Sequence, residues 1–228
     1  MSAPTVSVVM AVRNGASRLE AAIASIRAQS YSAHEILMID GHSSDDTVAI
    51  ARRAGISVAH QQGSTLADAY NEGVAGTSGS HVGFLSYDDE WTPRKLELQL
   101  AALAAQPEPG IAIGLARFVC EPGDELPAGA RPELLDAPRP ARIMETLLAP
   151  RAVLQRVGPL RPEASPADDV DWYARATDLG VPLAIVDQVI LVKRLHTQST
   201  AHTHVGAASG ILRALRDSIK RKQAISNG

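Results

Sequence analysis

The sequence predicts a single α/β domain with a mostly parallel central sheet flanked by helices, and three observations carry that prediction. Short apolar runs at Val6 to Val12, Ile36 to Ile39, Ile56 to Ala59 and Val82 to Ser86 alternate with stretches of helical periodicity, the rhythm of repeated strand-helix steps. The connections are short, so successive strands lie side by side and parallel, with helices covering the faces. The last run ends abruptly in the adjacent carboxylates Asp88 and Asp89, and open α/β sheets hold their ligands outside the carboxyl ends of their strands.

Each element has its own warrant. Val6 to Val12 is a near-continuous apolar run, as in a strand buried on both faces. The loop Arg13-Asn14-Gly15 follows, and then a helix in which Ser17 and Glu20 have capping-box spacing and Leu19, Ile23 and Ile26 form one apolar stripe. Ile36 to Ile39 is the second strand. The helix from Thr47 to Ala54 is stopped by Gly55 in the position of a C-terminal cap. Ile56 to Ala59 is the third strand and Leu66 to Ala75 the third helix. The run Val82 to Leu85 is too short for a helix. Thr92 and Pro93 then supply an N-cap and a first-turn proline for a helix over about 94–105, which puts Asp88 and Asp89 in a strand-to-helix turn.

The pattern changes after residue 106. Ile111 to Val119 reads as a longer strand. The segment 121–142 carries prolines at 122, 127, 132, 138 and 140, and a long loop of this kind inside a compact domain is a candidate substrate lid. Helix-compatible sequence runs from Arg142 to Val157 with a break at Pro150, and again from about Val170 to Leu179 before Gly180. A final strand, Leu183 to Val192, leads into Lys193-Arg194-Leu195-His196. The tail from Ala207 to Gln223 is helical, with Ile211, Leu215 and Ile219 on one face and Arg213, Arg216, Lys220, Arg221 and Lys222 around the rest. Packing on the domain is the expectation, and contact with an anionic membrane surface the alternative.

Composition removes several classes of function. A 228-residue chain, 45% hydrophobic and 21% charged, is ordinary for a folded soluble domain. A net charge of −3 argues against nucleic acid as a partner. The single cysteine, Cys120, excludes an internal disulfide and fits a reducing compartment, as a small core residue rather than a nucleophile. Met1-Ser2-Ala3-Pro4 does not open a signal peptide, and no stretch approaches the ~18 apolar residues of a membrane span. The expectation is a cytoplasmic protein, with peripheral membrane association left open.

Three acidic places call for one explanation. Asp40 ends the second strand, Asp88 and Asp89 end the fourth, and Asp168-Asp169 precede a helix containing Trp172 and Tyr173. Asp40 suits a ribose hydroxyl or a base N–H, or else a cap for the helix that follows. Asp88 and Asp89 suit a hard cation and its phosphates, or else form an acidic surface turn. There is no Walker loop and no G-x-G-x-x-G after the first strand, so a bound nucleotide would present its phosphates to a metal rather than to a glycine cradle.

Taken in order, Ser7-Val8-Val9-Met10-Ala11-Val12-Arg13-Asn14-Gly15, Ile39-Asp40-Gly41-His42-Ser43-Ser44-Asp45-Asp46-Thr47, Ala69-Tyr70-Asn71-Glu72-Gly73 and Phe84 to Pro93 resemble family 2 glycosyltransferases. Asp168-Asp169 matches that family's acidic pair before a helix, and Arg194-Leu195-His196 its closing basic-residue and histidine motif. The resemblance implies a GT-A-like fold, a nucleoside-diphosphate sugar donor, Mg or Mn as a divalent cation, and inversion at the anomeric carbon. It divides the chain into a nucleotide-sugar-binding half (1–106), an acceptor-binding half (107–205) and a C-terminal helix (206–228).

The same resemblance assigns roles by position. Asp40 contacts the nucleoside, with Ala11, Val12, Arg13 and Asn14 lining the same pocket. Gly63, Asp68 and Asn71 resemble a donor-sugar contact segment, and Ser86 and Tyr87 belong to the donor site. Asp88 and Asp89 hold the metal, with His196 approaching the metal or the diphosphate. Asp169 is the base that deprotonates the acceptor hydroxyl, although it also has the position of a helix cap. His202 and His204 are either further metal contacts or solvated tail residues. Two departures stand out: Ser86 replaces the usual first Asp of the metal motif, and Gly41 replaces a frequent second Asp. The acceptor is undetermined among glycan, lipid-linked saccharide, peptide and small metabolite. The basic tail leaves a homodimer open, without a sustained heptad pattern. A catalytically silent nucleotide-binding protein is the rival from another class, and a sugar-phosphate nucleotidyltransferase the rival enzyme.

Overall fold

The structure, a computed structural model, describes residues 3–127, 130–197 and 207–226; His202 and His204 lie outside the described residues. In chain order the elements are β1 (Val6–Val12), α1 (Leu19–Arg27), β2 (Glu35–Asp40), α2 (Thr47–Arg53), β3 (Ser57–His60), α3 (Leu66–Ala75), β4 (His81–Phe84), β5 (Glu90–Trp91), α4 (Lys95–Ala104), β6 (Ile111–Val119), β7 (Arg139–Pro140), β8 (Leu148–Pro150), α5 (Arg151–Val157), α6 (Asp168–Asp178), β9 (Leu183–Arg194) and α7 (Ala207–Ser226). They build one nine-stranded sheet in the order β3-β2-β1-β4-β8-β6-β9-β5, with β7 paired to β6.

The first four strands are parallel, as the strand-helix rhythm predicts. β1 is central because it is apolar on both faces, and its neighbours are β2 and β4. The chain winds outward from β1 to β3, then returns through α3 to place β4 on the other side of β1. That reversal is a topological switch point, where the carboxyl ends of neighbouring strands leave a crevice. Register fixes what stands there: Val12 lies beside Asp40, and Asp40 beside His60.

α3 packs tightly on this sheet. A Cβ at Gly73 would overlap Val9 Cγ1, and Val9 is fully buried. Overpacking of this kind costs about 1–3 kcal/mol, so Gly73→Ala is expected to lower the urea midpoint without changing the slope of the transition.

Several expectations are corrected. The Ser17–Glu20 capping box does not form: Arg18 is the N-cap of α1 without a side-chain bond, because the preceding loop is tied to residues 43–47. The capping box in this half is at Thr65 and Asp68, on α3. The stretch 142–157 is not a broken helix. Met144–Thr146 is a 3₁₀ turn, and Leu148–Pro150 is a strand antiparallel to both β4 and β6. Thr146 holds the turn by donating its hydroxyl to the Ala141 and Ile143 carbonyls, while Leu147, Leu148 and Ala149 are fully buried in the sheet. A strand buried on both sides has the same apolar composition as a buried helix, and pairing partners decide between them. β9 continues to Arg194 and α6 begins at Asp168, so the acidic pair stands in the first turn of a helix, while Leu195 and His196 directly follow the end of a strand. In the proline-rich segment, Pro132–Leu135 is a 3₁₀ turn and β7 pairs with β6.

Candidate functional site

At the carboxyl edge, the loop after β1 is locked to the loop after β2. Ser43 Oγ accepts from the Asn14 N–H at 2.9 Å, Asn14 Oδ1 accepts from the Ser44 N–H at 2.8 Å, and Thr47 Oγ1 accepts from the Gly15 N–H at 2.8 Å. Asn14 has a positive φ of 53°, which its short polar side chain tolerates. Ala11 and Val12 complete β1 beneath this loop, and Arg13 is exposed beside Gly41. A side chain at Gly41 would press on Arg13 Cβ at 3.2 Å and Gln61 Oε1 at 3.3 Å, a local reason for glycine there.

Asp40 is 1% exposed. Its carboxylate lies 3.2 Å from His60 Nδ1 and accepts from the Ser43 N–H at 3.3 Å. The His60 ring stacks on His42 with centroids 6.3 Å apart and planes 6° from parallel. Neither histidine was singled out by the sequence. His42 sits at a positive φ of 60°, a backbone state that composition does not reveal.

Gly63, Asp68 and Asn71 serve visible local roles. Asp68 accepts from the Ser64 and Thr65 N–H groups at 3.0 Å, and Glu72 accepts from the Gly63 N–H at 2.8 Å. Both ends of the Asn71 amide engage Leu160, through Nδ2 to its carbonyl at 2.8 Å and Oδ1 from its N–H at 2.9 Å. Asn71 therefore stitches α3 to the segment before α6.

The turn after β4 sorts its side chains in opposite directions. Tyr87 packs over Gly15, where a Cβ would lie 2.6 Å from the ring. Asp88 Oδ2 lies 2.8 Å from His196 Nε2. Asp89 is fully buried: Oδ2 accepts from Lys193 Nζ at 2.8 Å, and Oδ1 from the Arg194 N–H at 3.0 Å. The expectation that Asp89 ligates a cation does not fit this geometry, because both its oxygens face protein donors. Arg194 braces the turn from outside, donating to the Asp88 carbonyl at 3.1 Å and to Glu90 at 2.6 Å.

One residue of this cluster carried no sequence signal. Glu145, in the 3₁₀ turn before β8, accepts from Ser86 Oγ at 2.8 Å and lies 3.3 Å from Lys193 Nζ. Lys193 thus sits between two carboxylates. Burial alone would lower its pKa, yet Asp89 and Glu145 hold it well above the usual lysine value. Glu145 is likewise held below the ordinary carboxylate range by Lys193 and Ser86, against its burial.

The first turn of α6 borders the same cluster. Burial raises Asp169 to about 7, with the Asp168 charge adding to the shift, and Glu145 and Lys193 also act on it. Asp169 Oδ1 accepts from the Val170 N–H at 2.6 Å. Asp171 instead pairs with Arg175 at 2.8 Å, and Arg175 clamps the Val157 and Pro159 carbonyls. That structural clamp fixes the start of α6 against the segment before it.

The donor set suits one hard cation with few protein ligands. Asp88 and His196, 2.8 Å apart, would be its oxygen and imidazole ligands, while Ser86 and Asp89 bond Glu145 and Lys193. Mg²⁺ and Mn²⁺ sites commonly combine one or two protein ligands with phosphate oxygens and water. Among the described residues no group of three or more His, Cys, Asp or Glu side chains is arranged to hold a metal alone, so substrate phosphates would complete the shell.

A family model described as Glycosyl transferase family 2 matches residues 7–147, from β1 to the threshold of β8. The chain belongs to glycosyl transferase family 2. The family match takes in Asp40, Asp88 and Glu145, whereas Asp169 and His196 lie beyond it. An uncharacterized glycosyltransferase of Rickettsia prowazekii is 34% identical over 102 residues, covering 44% of this chain and 32% of that protein. The Escherichia coli UDP-Glc:alpha-D-GlcNAc-diphosphoundecaprenol beta-1,3-glucosyltransferase WfgD is 31% identical over 106 residues, covering 43% of this chain and 40% of that protein. The chain spans about a third or less of the Rickettsia relatives it matches. Among solved structures, Staphylococcus aureus TarS residues 1–349 with UDP-GlcNAc aligns at a TM-score of 0.74 and 13% identity, covering 95% of this chain and 66% of that one. Glucosyl-3-phosphoglycerate synthase from Mycobacterium tuberculosis with Mn²⁺, UDP-glucose and phosphoglyceric acid aligns at 0.71 and 18% identity, covering 94% and 79%. These likenesses establish the GT-A fold of this family 2 chain. No helix among the described residues is long and apolar enough to cross a membrane.

Proposed function

We propose that this family 2 chain transfers a sugar from a nucleoside-diphosphate donor to an acceptor hydroxyl, with inversion at the anomeric carbon. The observation that carries the reading is that Asp40 and the Asp88–His196 pair stand at the carboxyl end of the parallel strands β2 and β4, with the first turn of α6 within reach of the Glu145 and Lys193 charges. Asp40, buried at the tip of β2, accepts a hydrogen bond from the nucleoside. The bonded loops 13–16 and 43–47 form a rigid wall for it, and Tyr87 seals the wall at Gly15. Gly63, Asp68 and Asn71 shape the donor side through the backbone they hold.

Asp169 takes the proton of the acceptor hydroxyl. The freed oxygen forms a bond to the anomeric carbon as the bond to the diphosphate oxygen breaks on the opposite face, which inverts that carbon. Asp88 and His196 would hold Mg²⁺ or Mn²⁺, which when bound neutralises charge developing on the departing diphosphate. The Lys193–Glu145–Asp89 cluster fixes the floor of the site and orients the turn that carries Asp88. A uridine diphosphate sugar is the first donor to test, since WfgD is named for UDP-Glc and the TarS complex holds UDP-GlcNAc.

The test is a thermal-shift panel of UDP, GDP, TDP and their sugars with Mg²⁺, Mn²⁺ or chelator, followed by transfer assays. A ligand that binds only the native state raises the melting temperature by mass action. One nucleotide family should stabilise the protein in a metal-dependent way, and Asp88→Ala should abolish the metal-dependent part while leaving the melting temperature of the unliganded protein within about 2 °C, on the order of 1 kcal/mol. Unchanged metal dependence in Asp88→Ala removes its ligand role. The silent-binding alternative draws on Ser86, whose hydroxyl faces Glu145 rather than the cleft. It predicts nucleotide stabilisation with neither transfer nor donor hydrolysis.

A further inference from the structure

The C-terminal helix α7 meets the domain on a different face from the one its apolar residues suggest. It docks on α6 and the turn at 162–164 through small and polar residues. Ala214 is buried, and a Cβ at Gly210 would lie 2.8 Å from that of Ala167. Ser218 and Arg221 each bond the Asp178 carboxylate at 2.8 Å. The larger apolar residues point away from the domain: Ile211 is 41% exposed, Leu212 63%, Leu215 52% and Ile219 57%.

At about 3.6 residues per turn these four residues form one outward strip, with Arg216 and Lys220 along its edge, while Arg213 turns back to donate to the Glu163 carbonyl at 3.0 Å. The sole acid of the helix, Asp217, is partly buried and at the helical pitch lies within about 60° of Ala214. The outward arc therefore carries apolar and cationic groups with no negative charge, on a chain whose net charge is −3.

We propose that α7 is an interfacial membrane anchor whose apolar strip enters the surface of an anionic bilayer while Arg216 and Lys220 engage lipid phosphates. An apolar strip bordered by cations is the pattern of helices that lie in a membrane surface, and anionic lipid attracts basic residues held there. A second copy of the chain fits this face less well. A strip spanning residues 211–219 is about 12 Å long and, at a helix diameter of about 10 Å, presents on the order of 120 Å², well short of the about 800 Å² per partner of a standard interface. Two-fold pairing along it would also set each cationic edge close to its copy.

The test is flotation of the whole chain with vesicles of phosphatidylcholine alone or with about 30 mol% phosphatidylglycerol. The expected result is partition onto the anionic vesicles at least about tenfold above the neutral ones, weakening as salt is raised. Leu212→Ser/Leu215→Ser/Ile219→Ser and Arg216→Glu/Lys220→Glu each reduce that partition about tenfold or more, with melting temperatures unchanged because all five side chains are exposed. Should the first variant fold poorly, the charge variant alone carries the test. Absence of flotation on anionic vesicles overturns the proposal, as does equal partition by the charge variant and the parent. A solution dimer that the serine variant dissociates, without vesicle binding by the parent, assigns the face to a second copy instead.

Discussion

Asp169→Asn is expected to lower turnover by about 10²–10⁴-fold, the contribution of a general base, while nucleotide binding survives. The pH dependence gives this prediction its sign. Burial, with the Asp168 charge, raises Asp169 to about 7 from an ordinary 3.8. The base acts only when deprotonated, so wild-type turnover should rise with pH through about 7 and level off above it. Between about pH 4 and pH 7 the native state holds a proton that the unfolded state has lost, so this residue lowers stability as pH rises.

Asparagine removes that penalty. At pH 8 Asp169→Asn should melt about 2–4 °C above the parent, on the order of 1 kcal/mol, and below pH 4 the two should coincide. Asp168→Asn serves as the comparison and keeps more turnover. A helix-capping role for Asp169 makes the opposite demand: the variant would melt lower at pH 8, because the Asp169 contact with the Val170 N–H would be weakened with no relief of buried charge. Scanning calorimetry across pH, paired with a transfer assay, separates the two.

Lys193→Met is expected to produce the largest loss of stability. Its ammonium is 2.8 Å from Asp89 and 3.3 Å from Glu145, and all three residues are buried. Removing it leaves two carboxylates in the interior without their cation, and breaking a buried pair in this way costs about 3–5 kcal/mol. For a chain of this length that is roughly 10 °C in melting temperature. Glu145→Gln added to Lys193→Met neutralises one orphaned charge and should recover part of the loss, and lowering the pH should recover more as the remaining carboxylate takes a proton. A melting temperature within about 2 °C of the parent would mean that the cluster does not carry these charges. Donor binding by any folded fraction tests whether Asp89 positions the turn that presents Asp88.

The order of these elements explains what was legible beforehand. The parallel half of the sheet was readable because each strand is a local apolar run and each helix a local period, so residues 1–106 gave four strand-helix steps. Asp40 and Asp88 were readable for the same reason, since a carboxylate that ends an apolar run has one structural address, the carboxyl edge of the sheet. The C-terminal half was less readable. Leu148–Pro150 became a sheet strand because β4 and β6 flank it, and nothing in the run itself distinguishes that outcome from a helix. The α1 capping box failed because loops 13–16 and 43–47 had already bonded each other. α7 kept its predicted helix but turned Ala214 inward and left Ile211, Leu215 and Ile219 outside, because the flat contact with Ala167 and Asp178 admits small and polar side chains.

By itself the sequence determined the α/β architecture, the family resemblance and the edge on which a nucleotide site would stand, all of which depend on interactions between near neighbours in the chain. Tertiary structure alone decided how the acids divide their roles. Asp88 meets His196 across 108 positions and Asp89 meets Lys193 across 104, while Glu145 joins Ser86 from 59 positions away. Two adjacent aspartates have nearly identical sequence environments, and only partners brought from distant parts of the chain separate them: Lys193 and the Arg194 N–H make Asp89 a buried structural group, while Asp88 turns to His196.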